Sequence, residues 1–92
     1  MTIKHRYFPS RFKKDYQRMK KQRKDIKVLL EIIDKLQNQE PLDPKLKDHQ
    51  LSNNWKGCRE LHIQPDWLLI YRIEGDMLIL ERTGSHAELF ES

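Results

Sequence analysis

Three histidines in the second half of the chain are the residues best suited to chemistry. His49 follows Lys47-Asp48, His62 follows Glu60-Leu61 and precedes Pro65-Asp66-Trp67, and His86 closes the run Arg82-Thr83-Gly84-Ser85. Imidazole titrates near neutrality, so a cluster of histidines with carboxylates and an arginine can take up and hand on protons. One reaction suited to such a set, with no nucleophilic cysteine arrangement, is cleavage of RNA through its own 2′-hydroxyl. One group removes the 2′-OH proton, a second protonates the 5′-oxygen, and a cation stabilises the charge that builds on phosphorus. The substrate supplies the attacking oxygen, so such an enzyme would be blind to DNA.

Each residue also has a plainer role open to it. His49 and Asp48 could be an exposed loop pair, His62 a strand surface residue, and Asp66 a turn initiator after Pro65. Trp67 could be core, Arg82 could bridge to Glu81 or Glu60, and Phe90 could plug the C-terminal end. Cys58, alone in the chain, reads as a small buried hydrophobe and excludes an internal disulfide. Three histidines and an aspartate also suit zinc, but the sequence has no His-x-x-x-His or Cys-x-x-Cys pair. No metal and no cofactor is expected.

The elements that must position these residues follow from periodicity. Residues 3–8 read as a short first strand ending at Pro9. Ser10 is the expected cap of a first helix in which Phe12, Tyr16 and Met19 form a narrow apolar stripe. A second helix is expected from Asp25 to about Gln39, with Ile26, Leu29, Leu30, Ile33 and Leu36 facing the core. Pro41 and Pro44 end it, and nothing periodic appears from Leu42 to Lys56, where Ser52-Asn53-Asn54 reads as a turn. Three strands follow, at about 58–63, 67–73 and 77–82, with Glu74-Gly75-Asp76 as the hairpin between the last two. Alternation puts Glu60, His62 and Gln64 on one face of the first of these and Leu61 and Ile63 on the other. In the last, Leu78, Leu80 and Arg82 share a face, and Gly84 allows a bend that returns His86 over the sheet. The expected fold is a single α+β domain over residues 1–92, ordered β-α-α-β-β-β, with two N-terminal helices packed on a largely antiparallel sheet.

Charge is divided unevenly. Residues 1–24 hold ten Lys/Arg and one acid, Asp15, a local charge of +9 in a chain of net charge +4, which leaves −5 for the rest. That asymmetry suits a polyanionic partner or a solvated helix face. No apolar run approaches the length of a spanning helix and the N-terminus is polar and basic, so a cytoplasmic setting without membrane contact is expected.

Taken together, Lys47-Asp48-His49, Trp55-Lys56-Gly57, Arg59-Glu60-Leu61-His62-Ile63-Gln64-Pro65-Asp66-Trp67-Leu68-Leu69-Ile70-Tyr71 and Glu81-Arg82-Thr83-Gly84-Ser85-His86-Ala87-Glu88-Leu89-Phe90 closely resemble the YafQ branch of the RelE-type bacterial toxins. The N-terminal half agrees only in helix layout and basic character. The resemblance implies a RelE-like fold and the toxin half of a type II toxin–antitoxin pair, a ribosome-dependent mRNA endonuclease that blocks translation. It implies an acid–base set of His49, His62, Asp66 and His86, with Arg82 as the phosphate-stabilising cation. His49 would be general base and His86 general acid. Glu60 stands where relatives often carry an aspartate, and Glu60, Trp67 and Phe90 would form the margin contacting RNA or shaping the site. The basic segment then gains a purpose: Lys13, Lys14, Arg18, Lys20 and Lys21 would meet ribosomal RNA. The implied partners are mRNA, the ribosome and an antitoxin protein in an oligomeric complex. Against this stands a non-catalytic binding module, or an inactive toxin, of the same fold; a pure binder would have no use for the full histidine, aspartate and arginine set.

Overall fold

The computed structural model describes residues 3–90. A first strand β1 (His5–Tyr7) leads into helices α1 (Ser10–Lys21) and α2 (Ile26–Gln37). After two short 3-10 turns and a two-residue strand β2 (His49–Gln50) come β3 (Arg59–Gln64), β4 (Trp67–Glu74) and β5 (Met77–Gly84). A final short helix α3 (His86–Phe90) ends the described chain. The sheet runs β1-β5-β4-β3-β2, antiparallel throughout except where β1 lies parallel to β5. This is the expected α+β architecture, with two elements that periodicity did not reveal, β2 and α3.

The helices cover one face of the sheet. Phe12 and Met19 of α1 and Leu29, Ile33 and Leu36 of α2 bury themselves against Leu61, Leu69, Leu78 and Leu80. Ser10 does not cap α1. The Pro9 carbonyl accepts the amide of Lys13 at 3.0 Å, so the cap position falls one residue earlier, on a side chain with nothing to accept with. In α2 the buried stripe is Leu29, Ile32, Ile33 and Leu36, and Leu30 points outward. The helix stops at Gln37, two residues short of the expected end.

A second, smaller core lies on the opposite face. Leu68 and Ile70 of β4 meet Cys58 and Leu89 there, with Leu51 and Trp55 packed on top. Strand β4 is therefore covered on both sides, as its unbroken apolar run suggests. The β4–β5 pairing slips between Ile70 and Tyr71: Ile70 pairs with Arg82 and Tyr71 with Leu80, leaving Glu81 as the extra residue. That bulge reverses the alternation. Leu78 and Leu80 face the helices, but Arg82 lands on the row of Ile70, so the three do not share a face as simple alternation predicts.

Candidate active site

The face of the sheet opposite α1 and α2 gathers the three histidines. One cross-strand row joins His49, Glu60, Ile70 and Arg82 through successive pairings, and His62 lies on the next row opposite Leu68. The ring centroids of His49 and His62 are 6.5 Å apart, and those of His62 and His86 are 5.8 Å apart. Glu60 sits between them, 5% exposed, with its Oε1 3.4 Å from His62 Nε2 and 4.0 Å from His49 Nε2. Residues from β2, β3 and α3 thus converge on one face of the sheet.

Each outer histidine is oriented from behind. His49 Nδ1 lies 2.7 Å from the Lys47 carbonyl. A carbonyl only accepts, so Nδ1 carries the proton and Nε2 faces the cleft. The segment bearing His49 is pinned by its neighbour: Asp48 turns to the helix side and accepts from Tyr71 Oη at 2.7 Å and from the Arg59 guanidinium at 3.2–3.3 Å. Burial, together with that bond to Asp48, raises the Tyr71 phenol well above its ordinary range. Asp48 is therefore an anchor and not the exposed partner of His49 that adjacency suggests.

His86 is held by Asp66 in the turn between β3 and β4. The Asp66 carboxylate accepts from the His86 backbone amide at 3.1 Å and lies 2.9 Å from Nδ1 of the ring. The bond from His86 holds the exposed Asp66 carboxyl below its ordinary range. Helix α3 carries His86 in its first turn and is closed by a reciprocal cap. Glu88 N donates to Ser85 Oγ at 3.1 Å, and Ser85 N donates to Glu88 Oε1 at 2.8 Å. This Ser-x-x-Glu signature, Ser85 to Glu88, is the sequence signal for α3. Gly84 makes the entry possible: its φ is +155, and a Cβ there would lie 2.8 Å from Glu88 Oε1.

Arg82 pairs with neither Glu81 nor Glu60. Its Nε and Nη2 donate to Asp15 of α1 at 2.6 and 3.0 Å. Asp15 is 2% exposed and accepts further bonds from Arg18 Nη2 at 2.8 Å and the Thr83 amide at 3.2 Å. Arg18 Nε also approaches Glu88 Oε2 at 2.9 Å, tying α1 to α3. Sequence reasoning passed over Asp15 as a lone acid in a basic helix. The signal was its place on the buried stripe, three residues after Phe12 and four before Met19.

Of the expected margin residues, Phe90 is 41% exposed and its ring lies 6.3 Å from that of His86. Glu60 is at the centre of the cleft. Trp67 is fully buried on the helix side, with Nε1 donating to Thr83 Oγ1 at 2.9 Å. It packs the core behind the site and has no surface with which to meet a base. Cys58 is buried as well, and burial pushes its thiol up, away from nucleophilic use. Lys13, Lys14, Lys20 and Lys21 are exposed along α1, whereas Arg18 is half-buried in the Asp15–Glu88 network.

The arrangement offers two imidazoles whose tautomers are fixed by outside partners and a third beside a buried carboxylate, with Arg82 at the end of the same cross-strand row. A family model described as "Bacterial toxin of type II toxin-antitoxin system, YafQ" matches residues 4–91. The chain belongs to the YafQ toxin family. The mRNA interferase toxin YafQ of Escherichia coli BL21-DE3 is 42% identical over 86 residues, covering 90% of this chain and 91% of that protein. Among solved structures, a copper-bound mutant toxin from Helicobacter pylori superposes with a TM-score of 0.89 at 43% identity, covering 98% of this chain and 100% of that one. The E. coli YafQ seen in complex with DinJ gives 0.85 at 41% identity, over 92% and 96%. Family membership and fold thus rest on most of the chain, including the basic N-terminal half, where the sequence motifs are weakest.

Proposed function

We propose that this protein is the toxin of a type II toxin–antitoxin pair and an endoribonuclease that cuts mRNA on the ribosome. The observation that carries the reading is the convergence of His49, His62 and His86 around Glu60, with His49 and His86 each oriented by a partner outside the cleft.

The two partners suggest a division of labour. With its Nδ1 proton on a neutral carbonyl, His49 presents Nε2 as an acceptor and takes the 2′-OH proton. His86 has the Asp66 carboxylate on Nδ1, which orients Nε2 toward the cleft, and as the general acid its Nε2 proton passes to the departing 5′-oxygen. The 2′-oxygen bonds to phosphorus as the P–O5′ bond breaks, giving a 2′,3′-cyclic phosphate and a 5′-hydroxyl. The ring of His62 and the donors of Arg82 not taken by Asp15 can hydrogen-bond the phosphoryl oxygens as charge builds on them. The convergence of these residues weighs against a purely binding module of the same fold.

The relatives' structures raise a second use of the same atoms. Toxins from H. pylori have been solved copper-bound and metal-bound. Here Glu60, His62 and His86 each offer a donor atom, all within 4.8 Å of one another, and an imidazole–carboxylate set suits copper or zinc. These residues would hold such an ion, which would engage nitrogens that the acid–base reaction needs free.

For binding, the exposed lysines of α1 would meet rRNA phosphates, and the antitoxin, in an oligomeric complex, would restrain the toxin in the cytoplasm. The E. coli relative seen with DinJ supports a protein partner of this kind. The test is induced expression of wild type and His86→Ala in a bacterial host, with 5′ ends of cellular mRNA mapped after induction. In-frame cuts in translated messages, present only with wild type, are expected. Growth arrest without cuts would reject mRNA as the target.

A further inference from the structure

Beyond the histidine cleft, planar side chains continue in an unbroken series. The His86 ring meets Phe90 at 6.3 Å, Phe90 meets the edge of Trp55 at 6.3 Å, and the Arg11 guanidinium carbon lies 5.4 Å from the Trp55 ring centroid. Arg11 and Trp55 border an open cleft of about 600 Å³ that Lys56 also lines. Trp55 packs on the second core.

The Arg11 side chain is 54% exposed, yet it is fixed at two points. Trp55 backs it, and its Nη2 donates to Glu81 Oε1 at 3.0 Å. Glu81 in turn is 10% exposed in its side chain and takes Arg72 Nε on its other oxygen at 2.6 Å. Burial alone would raise the Glu81 carboxyl; the bonds from Arg72 and Arg11 outweigh it and hold the group below its usual range. The bond helps to satisfy a buried carboxylate, but Arg72 already serves the other oxygen of Glu81, and more than half of the Arg11 side chain stays open to solvent. A guanidinium tethered beside an aromatic and still half exposed is, however, a surface on which an unstacked base can lie. Glu81 is the extra residue of the β5 bulge.

We propose that Arg11 and Trp55 form a subsite for an unstacked nucleotide of the mRNA next to the scissile phosphate, with the base on the Arg11–Trp55 platform and a flanking phosphate on Lys56. The inference rests on the ribosomal endonuclease reading and extends it: nucleotide choice would be read outside the acid–base residues.

The experiment measures affinity for ribosomes carrying an mRNA with a 2′-deoxy nucleotide at the cut position, and for ribosomes with a vacant decoding site. Wild type, Arg11→Ala, Arg11→Lys and Trp55→Phe are compared, with circular dichroism melts to verify folding. Arg11→Ala should lose roughly tenfold on programmed ribosomes, the size of one stacking interaction, and nothing on vacant ones. Arg11→Lys keeps the charge without the plane and should lose nearly as much, whereas Trp55→Phe keeps a ring and should lose less. Full binding by Arg11→Lys would reduce the site to a charge contact and overturn the stacking claim. An equal loss on vacant ribosomes would reassign the platform to rRNA, and no loss on either would remove it. Failure of wild type to cut the all-ribose message would instead defeat the underlying endonuclease reading, and this proposal with it.

Discussion

At the scale of single residues, what stands behind each imidazole differs: a carbonyl behind His49 and a carboxylate behind His86. In the proposed mechanism that difference gives chemically equivalent rings opposite tasks. Asp66 is the clearest case for testing. Its folded pKa is depressed, so its bond with His86 is present above the ordinary carboxylate range and breaks only as pH falls through the lowered value. Asp66 is therefore anionic across the neutral range in which toxin activity is measured. Asp66→Asn should lower the cleavage rate about 100-fold at neutral pH, with little change in KM, because an amide can turn its NH2 to Nδ1 and no longer enforces the tautomer that the carboxylate selects. Single-turnover cleavage on programmed ribosomes measures this, and an unaltered rate would remove Asp66 from the mechanism. That the three histidines and Asp66 come together was legible in the sequence, because motif and chemistry pointed to the same positions. Asp15 was not, since its partner Arg82 lies 67 residues away and nothing local announces the pair.

At the scale of elements, three features aim the site, and they differ in how visible they were. Helix α3 was within reach of sequence reasoning through the Ser85–Glu88 cap. Strand β2, of two residues, is too short for any period to show. The β5 bulge is a property of pairing and leaves no local trace, so Arg82 was assigned to the wrong face. Its consequence is the Asp15 cluster, where one buried carboxylate holds α1 to the end of β5 and, through Arg18 and Glu88, to α3. Asp15→Ala should destabilise the fold by about 3 kcal/mol, since it strands two guanidinium groups and a backbone amide. Urea unfolding tests the value, and a change below about 0.5 kcal/mol would mean the cluster is incidental. The acid side of stability belongs here as well. Burial would raise Glu88, but bonds from Ser85, Gln22 and Arg18 prevail and lower it, as Arg72 and Arg11 lower Glu81. Both contributions are complete above the ordinary carboxylate range and fade as pH falls through the lowered values. Melting temperature should hold from neutrality down to that range and drop below it, and Glu88→Gln should flatten the drop.

At the scale of the whole molecule, the division of charge survives folding as a division of surface. The cationic residues of α1 line one flank, and the three histidines lie on the other face of the sheet. Among the described residues no helix is long and apolar enough to cross a membrane. Composition showed this polarity, but not that Arg18 had been drawn into the fold. Neutralising Lys13, Lys14, Lys20 and Lys21 to Gln, with Arg18 kept, should leave the melting temperature within about 2 °C of wild type, as surface changes away from special features do. Ribosome affinity should fall, and its logarithmic salt slope should become shallower by up to about 3, roughly 0.7–0.9 for each phosphate no longer neutralised. An unchanged slope would place the ribosome interface elsewhere.

The central claim is that the histidine cleft uses the RNA's own 2′-hydroxyl on the ribosome. The most direct test presents purified wild-type protein with ribosomes programmed by two messages, all-ribose or with one 2′-deoxy nucleotide at the cut position. The account predicts cleavage of the first alone, leaving a 2′,3′-cyclic phosphate and a 5′-hydroxyl, with neither product from His86→Ala. Cleavage of the deoxy-substituted message at that same position, or products ending in a 5′-phosphate, would contradict it.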